Sequence, residues 1–331
     1  MSTVELTIDA DQKSVAPADA DFVLAHLSDL HLSSLVGVRK RELLNKRILG
    51  YLSWRHRRRR EHRSDVLDAL RTDLHATHFD HVAITGDLTH IGLPREFREA
   101  ADWLARLGAP KDVTVVPGNH DAYVREAWHD TFAQWSPYMR GDDGAAGAST
   151  ASEGEATFPT LRVRRHVALI GLSTALPSAP FFATGRVGER QLERLDRLLV
   201  ETGAAGLFRI VLLHHPPGRH TVRWRKSLRD GAALRDILTA RGAELTLHGH
   251  AHFSAATYLD GASRRNLAIG VPSASAIGKH VDRHATYHVY RIRREGDAWR
   301  LRVAVRAYSL PDHRFVPEDG RRLRAAIAAR A

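Results

Sequence analysis

Five short apolar runs in this chain each end in a small polar cluster rich in aspartate or histidine. "FVLAHL" (22–27) runs into Ser28-Asp29-Leu30-His31, "HVAIT" (81–85) into Gly86-Asp87, and "VTVV" (113–116) into Gly118-Asn119-His120-Asp121. "FRIVLL" (208–213) leads to His214-His215-Pro216-Pro217, and "ELTL" (244–247) to His248-Gly249-His250-Ala251-His252. The runs read as strands. Helical spacing over 94–108, with proline early and glycine at the end, and over 188–201 makes the chain α/β. In open α/β sheets, sites form just beyond the carboxyl ends of strands, so five such clusters can converge on one crevice.

Together the clusters offer carboxylates, one amide and several imidazoles. Oxygen and nitrogen donors of this kind suit Mn, Fe, Zn or Co with water positions left open. His250 and His252 are alternate residues of one short segment, so both side chains can reach the same face. The glycines beside these residues allow the tight backbone geometry that a convergent site needs. The chain has no cysteine, which excludes disulfides, thiolate metal sites and a cysteine nucleophile. It also has no G-x-x-x-x-G-K-[ST], G-x-G-x-x-G or G-x-S-x-G pattern, so nucleotide-triphosphatase, dinucleotide and serine-hydrolase chemistry lack their residues.

At 331 residues the chain can bury a substantial core. Residues 1–20 are polar, lack a signal-peptide pattern and are expected to form a disordered leader. Residues 21–316 are expected to form the folded domain, with a low-complexity loop at 141–156, and 317–331 a short helix or tail. Runs at 266–271, 286–292 and 299–308 suggest a second set of half-buried strands. No apolar run approaches the ~20 residues of a membrane span, so a cytoplasmic protein is expected, peripheral at most on the inner membrane face.

The order D-x-H, G-D, G-N-H-D, H-H-P, G-H-x-H, over about residues 22–255, resembles the calcineurin-like metallophosphoesterase superfamily. That resemblance implies a four-layer αββα sandwich holding two divalent metal ions at its edge. One ion would take Asp29, His31, Asp87 and His252, the other Asp87, Asn119, His214 and His250, with Asp87 shared. His215 falls to the outer or substrate side, and His248 matches no ligand. The implied chemistry is metal-dependent hydrolysis of a phosphodiester or pyrophosphate by an activated water. His120 would contact the phosphate and assist the leaving oxygen, and Asp121 would hold its ring.

The formal charge of +11 is concentrated in one place. Eleven Lys/Arg against two Glu between Arg39 and Arg63 give that segment +9, leaving about +2 for the rest. Leu44, Ile48, Tyr51 and Leu52 recur there at helical spacing, flanked by Leu43 and Trp54, before a run containing Arg55, Arg57, Arg58, Arg59 and Arg60. Three readings stay open: an ordinary helix packed on the sandwich, an interfacial helix on an anionic membrane, or a nucleic-acid contact, the last without any recognisable binding module. The superfamily includes cyclic-nucleotide and glycerophosphodiester phosphodiesterases, nucleases, and hydrolases of UDP-2,3-diacylglucosamine. An apolar and basic insertion after D-x-H looks most like the lipid-linked group.

Overall fold

The computed structural model describes residues 4–9, 21–142, 158–259, 266–278 and 284–328. Strands β1 (Val4–Ile8), β2 (Phe22–Leu27), β3 (His81–Ile84) and β4 (Val113–Val115) come first in the chain. They are followed by β5 (Thr160–Arg164), β6 (Val167–Gly171), β7 (Phe208–Leu212), β8 (Leu245–His248), β9 (Ala255–Tyr258) and β10 (Leu267–Gly270). Last come β11 (Thr286–Glu295), β12 (Ala298–Ser309) and β13 (Arg314–Glu318). One sheet runs β1-β12-β11-β2-β3-β4, with β13 also on β12; the other runs β5-β6-β7-β8-β10-β9. All five runs expected from the sequence are strands, and they occupy the parallel parts of the two sheets. Parallel pairing brings the carboxyl ends of β2, β3 and β4 to one edge, and those of β7 and β8 to one edge of the other sheet.

The period-two pattern of each central strand feeds two separate cores. On β2, Val23, Ala25 and Leu27 face the helices Ser64–Ala76 and Pro94–Leu107, packing with Val66, Leu70, Phe97 and Leu104. Phe22 and Leu24 face the other way and meet Phe208, Ile210 and Leu212 of β7 between the sheets. Beyond β7, Val211 and Leu213 pack on the helices Glu189–Ala204 and Gly231–Arg241. The result is helix, sheet, sheet, helix. Strands with both faces covered have to be apolar throughout, which is why the five runs do not alternate.

Three details differ from the sequence expectation. Val4–Ile8, placed there in a structureless leader, is an edge strand parallel to β12, with Leu6 opposite Leu301. The late runs do not form a set of their own: β11 pairs antiparallel with β2, and β11 and β12 complete the first sheet. Strands β5 and β6 and the helices Ser64–Ala76 and Gly231–Arg241 are additional to the expected elements. The C-terminal helix Arg321–Ala328 tucks Leu323 into the inter-sheet core. Of the loop expected at 141–156, all but Gly141 and Asp142 lies outside the described residues.

Candidate metal centre

The pairing of β2 with β3 continues into the loops that follow. The N–H groups of Asp29, His31 and Leu32 donate to the carbonyls of Gly86, Asp87 and Leu88 at 2.9, 3.0 and 2.9 Å. From the second sheet, Gly249 N–H donates to the His214 carbonyl at 3.1 Å, and His250 N–H to Asp29 Oδ2 at 3.0 Å. That last bond joins the two sheets across the crevice. Asp29, His31, Asp87, His250 and His252 all have φ between 44° and 67°, a left-handed conformation uncommon for residues with a Cβ. Each such residue costs of order 1–3 kcal/mol, and strain of this kind gathers at functional sites. Neighbouring glycines give these turns room. Gly86 has φ +95°, and a Cβ on Gly249 would lie 1.8 Å from Ser28 Oγ.

Three imidazoles are wired alike. His31 Nδ1 meets the Thr89 carbonyl at 2.8 Å, His214 Nδ1 the Thr85 carbonyl at 2.6 Å, and His250 Nε2 the Lys226 carbonyl at 3.0 Å. A carbonyl can only accept, so each of these ring nitrogens donates and, in the neutral ring, the opposite nitrogen turns a lone pair inward. Metal-binding histidines are oriented in this way. The inward atoms bear this out chemically: His31 Nε2 is buried with no hydrogen-bond partner. Asp29 Oδ1 has none either, although it lies 3.1 Å from His252 Nε2. The donor atoms of Asp29, His31 and His252 lie within 4.8 Å of one another, as do those of Asp87, His214 and His250, and those of His31, Asp87 and His120. Asn119 Oδ1 lies 3.1 Å from His214 Nε2. The residue types and orphaned atoms fit divalent cations.

Electrostatics favours that state for His31 and His250 and opposes it for His214. Burial holds the His31 and His250 imidazoles well below their usual range, so both are neutral and able to donate a lone pair. Burial works against protonation of His214, but the Asp87 and Asp29 charges outweigh it and hold it up to about 9 in the metal-free chain. Burial also opposes the Asp29 charge, yet His252, His214 and His31 keep that carboxyl well below the usual carboxylate range.

The calcineurin-like phosphoesterase model matches residues 22–254. This chain belongs to the calcineurin-like phosphoesterases, a family of metal-dependent phosphoester hydrolases. It is 28% identical over 176 residues to a Synechococcus sp. protein named "Probable cyclic nucleotide phosphodiesterase", a match covering 52% of this chain and 58% of that relative. Its fold resembles the crystal structure of a dimetal phosphatase from Danio rerio, with a TM-score of 0.55 and 14% identity, covering 87% of this chain and 99% of that one.

Within this phosphoesterase the residues around the candidate ligand cluster divide by task. Asp121 does not hold the His120 ring, as the sequence had suggested. Its carboxylate accepts the backbone N–H groups of Asp87, Leu88, Thr89 and Gly118 at 2.8–3.0 Å, pinning the β3 loop to the β4 loop. Burial and the Asp87 charge push that carboxyl up to about 7, against the pull of these donors. His120 Nδ1 instead donates to the His90 carbonyl. His215 is buried beside His250, at 4.4 Å between ring centres, and bonds to Thr174 Oγ1 and the Ala183 carbonyl. His248 is buried at the end of β8 with Nδ1 near the Gly249 carbonyl.

The inserted segment splits in two. Leu43, Tyr51 and Trp54 pack with Leu35, Ile91 and Leu93, while Leu44, Ile48 and Leu52 are 84%, 47% and 44% exposed. Tyr51 therefore leaves the expected stripe. Arg55, Arg57, Arg59 and Arg60 are exposed, and Arg57 pairs with Glu61 at 3.3 Å. Arg58 alone of the five turns in to His120. Two histidines missed in the sequence complete the wall: His90 stacks on His31 at 5.0 Å, and His62 meets it edge-on at 4.5 Å. In a chain with 21 histidines neither stood out, although His90 follows Asp87 by three residues. A groove of about 500 Å³ opens between His31 and this segment, lined in part by Trp54, Arg59 and His62.

Asp121→Ala leaves four backbone donors without their acceptor. At roughly 1–3 kcal/mol for a buried donor left unmade, the loss of stability should reach about 3 kcal/mol or more. Chemical denaturation is expected to show that loss together with reduced metal content. Unchanged stability with a fall in turnover alone would return Asp121 to a role in the chemistry.

Proposed function

We propose that this chain hydrolyses a phosphodiester or pyrophosphate bond at a two-metal centre. Asp29, His31, Asp87 and His252 would hold one ion, and Asp87, Asn119, His214 and His250 the other. The observation that carries this reading is the common wiring of His31, His214 and His250, each with one nitrogen committed to a backbone carbonyl and the other turned to buried Asp29 and Asp87. Two divalent cations of the Mn, Fe, Zn or Co kind supply, when bound, an activated water and positive charge beside the phosphoryl oxygens. The chain's own residues do the rest. Asp87 belongs to two of the donor clusters, which suits a shared ligand. Asn119 cannot titrate, so it orients without exchanging protons. His120 Nδ1 donates to the His90 carbonyl, so the neutral ring presents the lone pair of Nε2 to the site and could serve the departing oxygen only after taking up a proton there. A diester substrate is also in keeping with the name of the Synechococcus relative.

A second reading concerns where the substrate resides. Six of the nine exposed large hydrophobic residues among those described are Val36, Leu44, Ile48, Leu52, Phe181 and Trp224. Lys46 Nζ donates to the Ser178 carbonyl at 2.9 Å, Phe182 meets Trp224 at 5.4 Å, and the Lys226 carbonyl contacts His250. These contacts bring the inserted segment and the residues around 178–182 and 224–226 together beside His250. Such a rim suits an anionic lipid surface, where each basic residue contributes about 1 kcal/mol, and a substrate carrying acyl chains such as UDP-2,3-diacylglucosamine. Among the described residues no helix is long and apolar enough to cross a membrane.

Asp87→Asn should lower turnover of bis-p-nitrophenyl phosphate by more than about 100-fold, since an amide bridges two cations poorly. Elemental analysis is expected to find fewer bound ions in the same variant. Full activity in metal-depleted wild-type protein would sink the reading. For the rim, the triple change Leu44→Ser, Ile48→Ser and Leu52→Ser should abolish co-sedimentation with phosphatidylglycerol vesicles and spare the soluble diester. A folded wild-type chain that never binds vesicles leaves a soluble diester as the substrate.

A further inference from the structure

We infer that Arg58 is the side chain that grips the phosphoryl group, delivered to the site by the inserted segment. The segment is seated firmly enough to aim it. Gly50 lies so close to the domain that a Cβ there would sit 2.5 Å from Ile91 Cγ2. Buried Arg47 donates Nε to the Ile91 carbonyl at 3.0 Å and pairs with Glu126 at 2.6 Å. Residues Trp54–Arg58 then widen into a π-helical turn, with Arg59 N–H reaching back to the Trp54 carbonyl. Single turns of this kind recur at functional sites because they re-aim the side chains that follow. Here Trp54 anchors in the apolar pocket, Arg58 swings to the metal cluster, and His62, four residues on, lies against His31.

What Arg58 meets there is unusual for this protein. The other well-buried arginines are matched to carboxylates or carbonyls: Arg47 to Glu126, Arg209 to Glu244 at 2.7 Å, and Arg162 to the carbonyls of Arg140, Val113 and Pro137. Arg58 has no salt bridge among the described residues. Its Nη1 lies against the His120 ring, 3.1 Å from Nε2 and 3.2 Å from Nδ1, an uncharged partner. A half-buried guanidinium with no carboxylate in direct contact among the described residues and only the Asp87 and Glu61 charges nearby, beside the imidazole proposed to serve the leaving oxygen, is built to receive an anion. A phosphoryl oxygen beside the Arg58–His120 pair would take a charge-assisted hydrogen bond from the guanidinium's remaining N–H groups. This role rests on the two-metal reading and adds the group that binds the substrate's charge.

The test uses full-length, metal-replete protein with inorganic phosphate as the probe. Calorimetry is expected to show phosphate affinity falling roughly 10- to 100-fold in Arg58→Ala, the range for a hydrogen bond to a charged group. Metal content should be unchanged, Arg58→Lys should be intermediate, and added guanidinium should restore part of the Arg58→Ala loss in diester turnover. Should Arg58→Ala fail to fold, Arg58→Lys carries the test, with phosphate affinity below wild type required. Wild-type phosphate affinity in a folded, metal-replete variant would overturn the role of Arg58 and leave the two-metal reading standing. A wild-type chain that binds neither metal nor phosphate overturns both.

Discussion

Three carboxylates, those of Asp29, Asp87 and Asp121, are buried in one crevice, and like charges at that depth cannot persist without compensation. The chain answers in two ways. Asp121 is solvated locally by four backbone N–H groups, is itself pushed up to about 7 by burial and the Asp87 charge, and serves as a clamp between two loops. Asp29 and Asp87 receive too little of that help. Each accepts one backbone N–H, from His250 and His120 respectively, and each lies beside an imidazole, His252 at 3.1 Å or His214 at 3.3 Å. Divalent cations are the natural partners for such a pair, and the surrounding histidines are turned to share them.

This arrangement needs the layered fold beneath it. The strained turns that carry five of the candidate ligands together cost several kcal/mol, at of order 1–3 kcal/mol apiece. Apolar strands covered on both faces hold the carboxyl ends of β2, β3, β7 and β8 in place, so the turns cannot relax independently. The bond from His250 N–H to Asp29 makes the two sheets one unit at the site. Packing supplies rigidity, and the turns convert it into ligand geometry.

Much of this was legible in the sequence because the clusters obey a simple rule: polar residues directly after apolar strands of a parallel sheet. The same rule could not reveal roles made by the backbone. The carbonyls of Thr85, Thr89 and Lys226 fix three ring orientations, yet a carbonyl leaves no mark in residue type. Asp121 was misread for the same reason, since its partners are main-chain N–H groups and sequence adjacency to His120 suggested a side-chain pair. Val4–Ile8 escaped notice because its partner, β12, lies nearly 300 residues away. The inserted segment shows a further limit. Its composition marked it as helical and basic, but the seating of Gly50, Arg47 and Tyr51 on the domain leaves Leu44, Ile48 and Leu52 outside, and one wide turn at Trp54–Arg58 precedes the entry of Arg58 alone into the site.

The account stands on two ions sharing Asp87. Anomalous diffraction from crystals of manganese-loaded protein tests this most directly. Two peaks are expected, one bounded by Asp29, His31, Asp87 and His252 and the other by Asp87, Asn119, His214 and His250. A single peak, or manganese bound away from Asp87, would contradict it.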